Sequence, residues 1–247
     1  MSRLRPFFSY YGSKWTMAPR YPAPLHDHIV EPFAGSAQYS TLHWRRRVTL
    51  IEKNPVVAAV WRWLIAADAR EVMSIPLIAD GQTVDDLGLC QEAAWFVGFW
   101  LNAAAAAPGR SLSSWARNCR KKSGLWGARC REHIARQVHA CDHWQVVEGD
   151  YRCAPMTSRA CYFVDPPYAG SAGSHYRHGS QALDYGALSS WCRQIKGQAI
   201  VCEAEGAQWL PFEPLAAAPS AQVRHGRVSR EAVWTQNCVT QGSLFDE

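Results

Sequence analysis

The sequence predicts an α/β fold: a doubly wound sheet whose chain is interrupted by a mainly helical insertion. Three observations carry this. Short apolar runs closed by an acid or a turn recur at both ends of the chain, at His28–Glu31, Val48–Glu52, Gln145–Glu148, Cys161–Val164 and Ala199–Cys202. A helix-like stretch, Leu183 to Lys196, separates the last two, the alternation that builds parallel βαβ units. From Pro55 to about Cys141 no alternating strand pattern is visible. Residues 1–55 and 142–247 therefore read as one α/β domain, and 56–141 as a helical insertion.

Taken in order, the chain opens with Phe7-Phe8-Ser9-Tyr10-Tyr11-Gly12-Ser13-Lys14-Trp15, aromatics followed by a Gly-Ser turn that brings backbone and a lysine close to something. An arm packing its rings on the core would have the same letters. His28-Ile29-Val30-Glu31-Pro32-Phe33-Ala34-Gly35-Ser36-Ala37-Gln38 is a strand, a turn of small residues and a helix start. Such units place ligands at the carboxyl ends of strands, although a plain strand-to-helix turn explains the glycine equally well. The second strand ends in Glu52, about twenty residues after that turn, the spacing at which an acid grips ribose hydroxyls in nucleotide folds. Arg45-Arg46-Arg47 before it reads as a solvated turn. Val56–Ala67 and Glu92–Ala107 read as helices, the second stopped by Pro108-Gly109. Towards the C-terminus, Gln222-Val223-Arg224 and Ala232-Val233-Trp234-Thr235 read as an antiparallel pair joined around Gly226.

The most distinctive stretch is Asp165-Pro166-Pro167-Tyr168, at the end of the Cys161–Val164 strand. The prolines lack N–H groups and hold their neighbours extended. An ionised Asp165 only accepts hydrogen bonds. Carbonyls and a carboxylate without a competing donor suit a group with two N–H donors, such as an exocyclic amine. The Tyr168 ring offers a face on which the ring bearing that amine can stack. On these four residues alone, a strand ending in a Pro-Pro turn is also possible.

Composition sets the bounds. The 247 residues are 48% hydrophobic and 19% charged, ordinary values for a globular protein able to bury a full core. The net charge of +5 is compatible with a polyanion. Nine cysteines show no framework spacing, and no run is apolar enough for a secretory signal or a membrane span. The expected compartment is the cytoplasm, with reduced thiols. Cys119, Cys130, His133, His139 and Cys141 contain no CxxC pair, so no metal site is expected.

The charge is unevenly spread. No acid occurs between Glu92 and Glu132, while Arg110, Arg117, Arg120, Lys121, Lys122, Arg129 and Arg131 fall there, interleaved with Trp115, Asn118 and Trp126. A basic loop carrying aromatics fits a phosphate backbone with a stacking residue. A solvated basic face would look the same.

Asp165-Pro166-Pro167-Tyr168 resembles the catalytic motif of amino-methyltransferases that use S-adenosylmethionine. Together with the turns described above, the chain resembles the Dam-like DNA adenine N6-methyltransferases encoded by bacteria and their phages. The likeness covers about the first 55 residues and the last hundred. It implies a Rossmann-like methyltransferase sheet in which Tyr10, Gly12 and Lys14 hold the methionine end of the cofactor. Glu31, Phe33, Gly35 and Ser36 would form its glycine turn, with Ala37 replacing the family's last glycine. Glu52, Asp150, Tyr151 and Asp165 would complete the cofactor site, Asp150 taking the adenine amine; a simple Gly-Asp turn gives the same letters there. Residues 56–141 would be the target-recognition domain. Its candidate contacts to double-stranded DNA are Arg117, Asn118, Arg120, Lys121, Lys122 and Trp126.

The expected reaction is direct methyl transfer to N6 of a flipped-out adenine. Asp165 and the Pro166 carbonyl would accept the two amine hydrogens, and Pro167 and Tyr168 would complete the catalytic turn. The rivals are N4-cytosine methylation, whose enzymes usually carry Ser at this position, RNA adenine methylation, protein-glutamine methylation and a catalytically silent DNA-binding module.

Overall fold

A computed structural model describes residues 4–102, 105–112, 125–169, 180–215 and 231–237. Seven strands form one mixed sheet: β1 (His28–Glu31), β2 (Arg47–Glu52), β3 (Gln145–Glu148), β4 (Cys161–Val164), β5 (Gln198–Ala204), β6 (Glu213–Pro214) and β7 (Glu231–Asn237). Their order is β3-β2-β1-β4-β5-β7-β6. β1, β2, β3, β4 and β5 run parallel, and β7 pairs antiparallel with both β5 and β6. The antiparallel partners of β7 are thus β5 and the two-residue β6; Gln222–Arg224 lies outside the described residues.

The central strands β1, β2, β4 and β5 are buried on both faces, and side-chain alternation divides their residues between two clusters. Ile29, Val48, Leu50, Cys161, Phe163, Ile200 and Cys202 join one. Val30, Ile51, Tyr162, Val164, Ala199 and Val201 join the other. Neighbours in sequence feed opposite sides, so a near-continuous apolar run is what this sheet requires.

Six α-helices are described: α1 (Gln38–Leu42), α2 (Pro55–Ala66), α3 (Ala69–Ser74), α4 (Gln91–Leu101), α5 (Ala128–Gln137) and α6 (Tyr185–Arg193). Asn54 caps α2 by accepting the Val56 N–H at 3.1 Å, with Pro55 at the first position, where a missing N–H costs nothing. α2 lies on β2 and β3. Val57, Trp61 and Leu64 of α2, Phe96 and Phe99 of α4, and Ile134 of α5 share the cluster that contains Leu50 and Phe163. Leu188 and Cys192 of α6 cover the opposite face.

The alanine run departs from expectation. α4 ends at Leu101 and does not continue to Ala107. Beyond it the chain doubles back: Gly109 donates to the Gly98 carbonyl at 3.0 Å, and Ala105 accepts the Tyr11 N–H at 3.2 Å. A Cβ at Gly98 would stand 2.6 Å from the Gly109 oxygen, so this close return overrides the helix propensity of alanine.

The strand order reverses between β1 and β4. In an open α/β sheet the crevice for ligands opens there, beyond the carboxyl ends of the strands. Those ends carry Glu31 on β1, Glu52 on β2 and Asp165 just after β4.

Candidate active site

A cavity of about 260 Å³ lies at that switch point. Its lining brings together Tyr10, Gly12 and Lys14 from the N-terminal arm, Glu31, Phe33, Gly35 and Ser36 from the first turn, Glu52, Asp150 with Tyr151, and Asp165 with Pro167. Gln38, Asn54, Arg152 and Asp184 line it too, and the sequence reading missed them as site residues.

The first turn is built for close approach. Gly35 has φ +47, and a Cβ there would meet the Tyr10 ring at 3.3 Å. Its N–H donates to Glu52 Oε2 at 2.8 Å and its carbonyl accepts Trp61 Nε1 at 2.7 Å. Ala37, in the place of the family's last glycine, adopts φ 46 and ψ 50, the left-handed conformation glycine would take. The Glu31 carboxyl accepts the Ser40 N–H at 2.6 Å and so braces the start of α1. Burial pushes it up to about 8, against the pull of that hydrogen bond. Gln38 donates to the Ser36 carbonyl at 2.9 Å, which fixes its amide orientation and leaves its buried Oε1 without a partner.

On the adjacent wall, Phe33 stacks on Tyr151 with ring centroids 5.7 Å apart. Asp150 accepts the Arg152 N–H at 3.0 Å and is clasped by the Arg152 guanidinium. Those bonds hold its carboxyl below the usual range.

The turn after β4 is the most unusual part. Asp165 Oδ1 is buried, and Lys14 Nζ lies 3.2 Å from it at an angle that leaves the oxygen without a hydrogen bond. Burial raises the Asp165 carboxyl to about 6; Lys14 pulls it down, while Glu231 and Glu203 push it up. Lys14 is only 8% exposed. Burial opposes its charge, but Asp165 and Glu231 outweigh burial and raise it above the ordinary lysine value. The ammonium also lies 4.4 Å from the Tyr168 ring centroid.

No family model and no curated protein matches this chain.

Around this turn other side chains hold the backbone. Tyr185 donates to the Pro167 carbonyl at 2.6 Å. Glu203 accepts from the Ala169 N–H at 3.1 Å and from Trp209 Nε1 at 2.9 Å. Tyr168 donates to Glu231 Oε2, which also accepts from Tyr21 at 3.2 Å. Among the described residues no donor reaches the Pro166 carbonyl. Glu203 and Glu231 are both buried; Glu203 follows the apolar Ala199–Cys202 run and Glu231 opens β7, and an acid beside an apolar run was the signal each gave in the sequence.

The basic stretch looks different in three dimensions. Arg117, Asn118, Arg120, Lys121 and Lys122 lie outside the described residues. Trp126 is only 6% exposed, packs edge-on against Phe96 and donates to the Pro76 carbonyl at 3.0 Å. It belongs to the core and has no face for a base, which corrects its place among the DNA contacts. Arg110 pairs with Asp85, and Arg131 donates to the Ile75 carbonyl at 2.8 Å. Among the described residues no helix is long and apolar enough to cross a membrane, and no group of three or more His, Cys, Asp or Glu is placed to hold a metal ion.

Proposed function

We propose that this chain transfers a methyl group from S-adenosylmethionine to the N6 amine of adenine in double-stranded DNA, on a Rossmann-like methyltransferase sheet. The observation that carries this reading is the pair of adjacent acceptors after β4. Asp165 Oδ1 is buried and without a hydrogen bond. The next residue, Pro166, supplies a carbonyl that no described donor reaches. Two adjacent acceptors, one ion-paired with Lys14 and the other met by no described donor, match an –NH₂ group that displaces the lysine, and the Tyr168 ring stands three residues on.

The cavity residues fit the cofactor. A switch-point crevice with an acid at the end of the second strand suits a nucleoside. Gly35 lets backbone come close, Glu52 faces the cavity, and Lys14 supplies a cation for a carboxylate. When bound, S-adenosylmethionine supplies an activated methyl group on a sulfonium. The protein's part is positioning and electrostatics. Accepting both amine hydrogens turns the nitrogen lone pair away from the ring and out of conjugation. Burial strengthens that interaction, because no water competes for the acceptors. An adenine in a duplex must leave the stack to reach this turn. Target recognition is assigned to residues 56–141, with phosphate contacts from Arg117, Arg120, Lys121 and Lys122.

The test is Asp165→Ala with labelled cofactor and adenine-containing DNA. Transfer should fall about a hundred- to thousandfold, the usual cost of one preorganised electrostatic contact. Cofactor binding, followed by calorimetry, should largely remain. Near-normal transfer by the variant, or wild-type product recovered as N4-methylcytosine, would overturn the assignment.

A further inference from the structure

The proposed amine acceptor is already shadowed by a charge. Lys14 Nζ stands 3.2 Å from Asp165 Oδ1, the atom an incoming N–H must reach. The same nitrogen stands 3.9 Å from Glu231 Oε1. Its other close contacts are the Gly12 carbonyl at 3.4 Å and the Tyr168 ring at 4.4 Å.

We propose that Glu231 is the second seat of Lys14: a positioning residue that receives the ammonium when a ligand amine takes Asp165. This rests on the methyltransferase reading above. Three features support it. Lys14 and Glu231 are 8% and 9% exposed, so an ammonium pushed off Asp165 needs an anionic partner, and among the described side chains Glu231 already stands beside it. The two oxygens of Glu231 are divided. Oε2 accepts both Tyr168 and Tyr21, and Oε1 faces Lys14. Finally, one carboxylate holds both the lysine that must move and the ring on which the base would stack. The two adjustments therefore share a fixed point on β7.

Charge gives the idea a measurable signature. The ionisable groups that act most strongly on Asp165 are Lys14 from the arm, Glu231 from β7 and Glu203 from β5. Glu31 on β1, Cys202 on β5, and Tyr21 and Tyr168 also interact with it; burial holds each of these towards its neutral form. In Glu231→Gln the nearby like charge is gone and Lys14 is committed to Asp165. Asp165 should then titrate lower, and the acid limb of the transfer rate should move down by about one pH unit. The plateau kcat should fall at least about tenfold, because the amine must now displace a lysine that has lost its second protein carboxylate and keeps only the cofactor's. DNA affinity should not change.

The experiment pairs carbon-13 titration of the Asp165 carboxyl in the ligand-free protein with the pH profile of transfer, for wild type, Glu231→Gln and Tyr21→Phe. A lower Asp165 midpoint and a shifted acid limb in Glu231→Gln alone support the proposal. An unchanged or higher midpoint overturns it. So does an equal shift in Tyr21→Phe, which would mean that packing and not charge is responsible. Should Glu231→Gln fail to fold, the wild type decides. Asp165 and Glu231 titrating as a coupled pair in two steps support a shared lysine, and independent single steps refute it. If wild type transfers no methyl group, the methyltransferase reading fails, and the carboxyl titration still settles how Lys14 is shared.

Discussion

Gly35 donates its N–H to Glu52 Oε2 at 2.8 Å, so the turn after β1 is fastened by the acid that closes β2. The other oxygen accepts the Asn54 N–H at 2.7 Å, and the Glu52 backbone carbonyl accepts Gly149 N–H at 3.0 Å. Glu52 thus supports three of the loops around the cavity before any ligand arrives. Glu52→Ala should weaken S-adenosylmethionine binding by about 1–3 kcal/mol and lower folding stability by a similar amount, since each loss leaves buried N–H groups unpaired. Calorimetric titration and urea unfolding measure the two effects. A stability loss with unaltered cofactor affinity in the folded variant would make Glu52 a fastening residue only.

Ala37 is the sole non-glycine residue with positive φ among those described. The left-handed conformation costs an L residue roughly 1–2 kcal/mol. Glycine avoids that cost but loses about 0.5–1 kcal/mol through its freer unfolded chain. Ala37→Gly should therefore stabilise the protein by about 0.5–1 kcal/mol. A urea midpoint equal to or below wild type would contradict this.

Glu31 gives stability a pH dependence of defined sign. Burial raises its carboxyl from 4.5 to about 8, against the opposing Ser40 hydrogen bond. Below pH 4.5 both folded and unfolded chains hold the proton, and the contribution is intact. As pH rises towards 8 the unfolded chain releases its proton while the folded chain keeps it, and stability is lost. Glu31→Gln keeps an acceptor for Ser40 and removes the titration. It should match wild type near about pH 4 and exceed it by about 1–3 kcal/mol near about pH 9. Parallel stability curves for the two proteins would show that Glu31 ionises in the fold at an ordinary pH.

The basic cluster is tested by salt. Replacing Arg120, Lys121 and Lys122 by Ala should weaken DNA binding and flatten the slope of log affinity against log salt by up to about 2–3 units, about 0.9 per phosphate contact. A loss equal across sequences indicates phosphate contacts, and a selective loss indicates an arginine reading a guanine edge. Parallel lines for wild type and variant would send the search for the DNA surface elsewhere. Trp126→Ala, in contrast, should cost about 3–5 kcal/mol of stability, because the ring is core.

Much of this was legible in the sequence because it depends on local chemistry. Short continuous apolar runs specified β1, β2, β4 and β5, and the prolines after Asp165 dictated an extended turn carrying acceptors. The spacing from Gly35 to Glu52 anticipated that both would face one cavity, since the strands carrying them are neighbours in the sheet.

What sequence could not decide was which distant groups meet. Alanine propensity extended α4 too far, because the return of Gly109 onto Gly98 is a long-range contact that no local preference encodes. Trp126 sits among basic residues in the chain but among apolar ones in the fold. Arg110 seemed free of acids until folding brought Asp85 to it. Glu231 lies far along the chain from Lys14 and Tyr168. Only the antiparallel pairing of β7 with β5, with Glu231 opposite Ala204, carries it beneath the turn after β4. Residue chemistry determined what each side chain could offer, and sheet order and register determined which offers coincide.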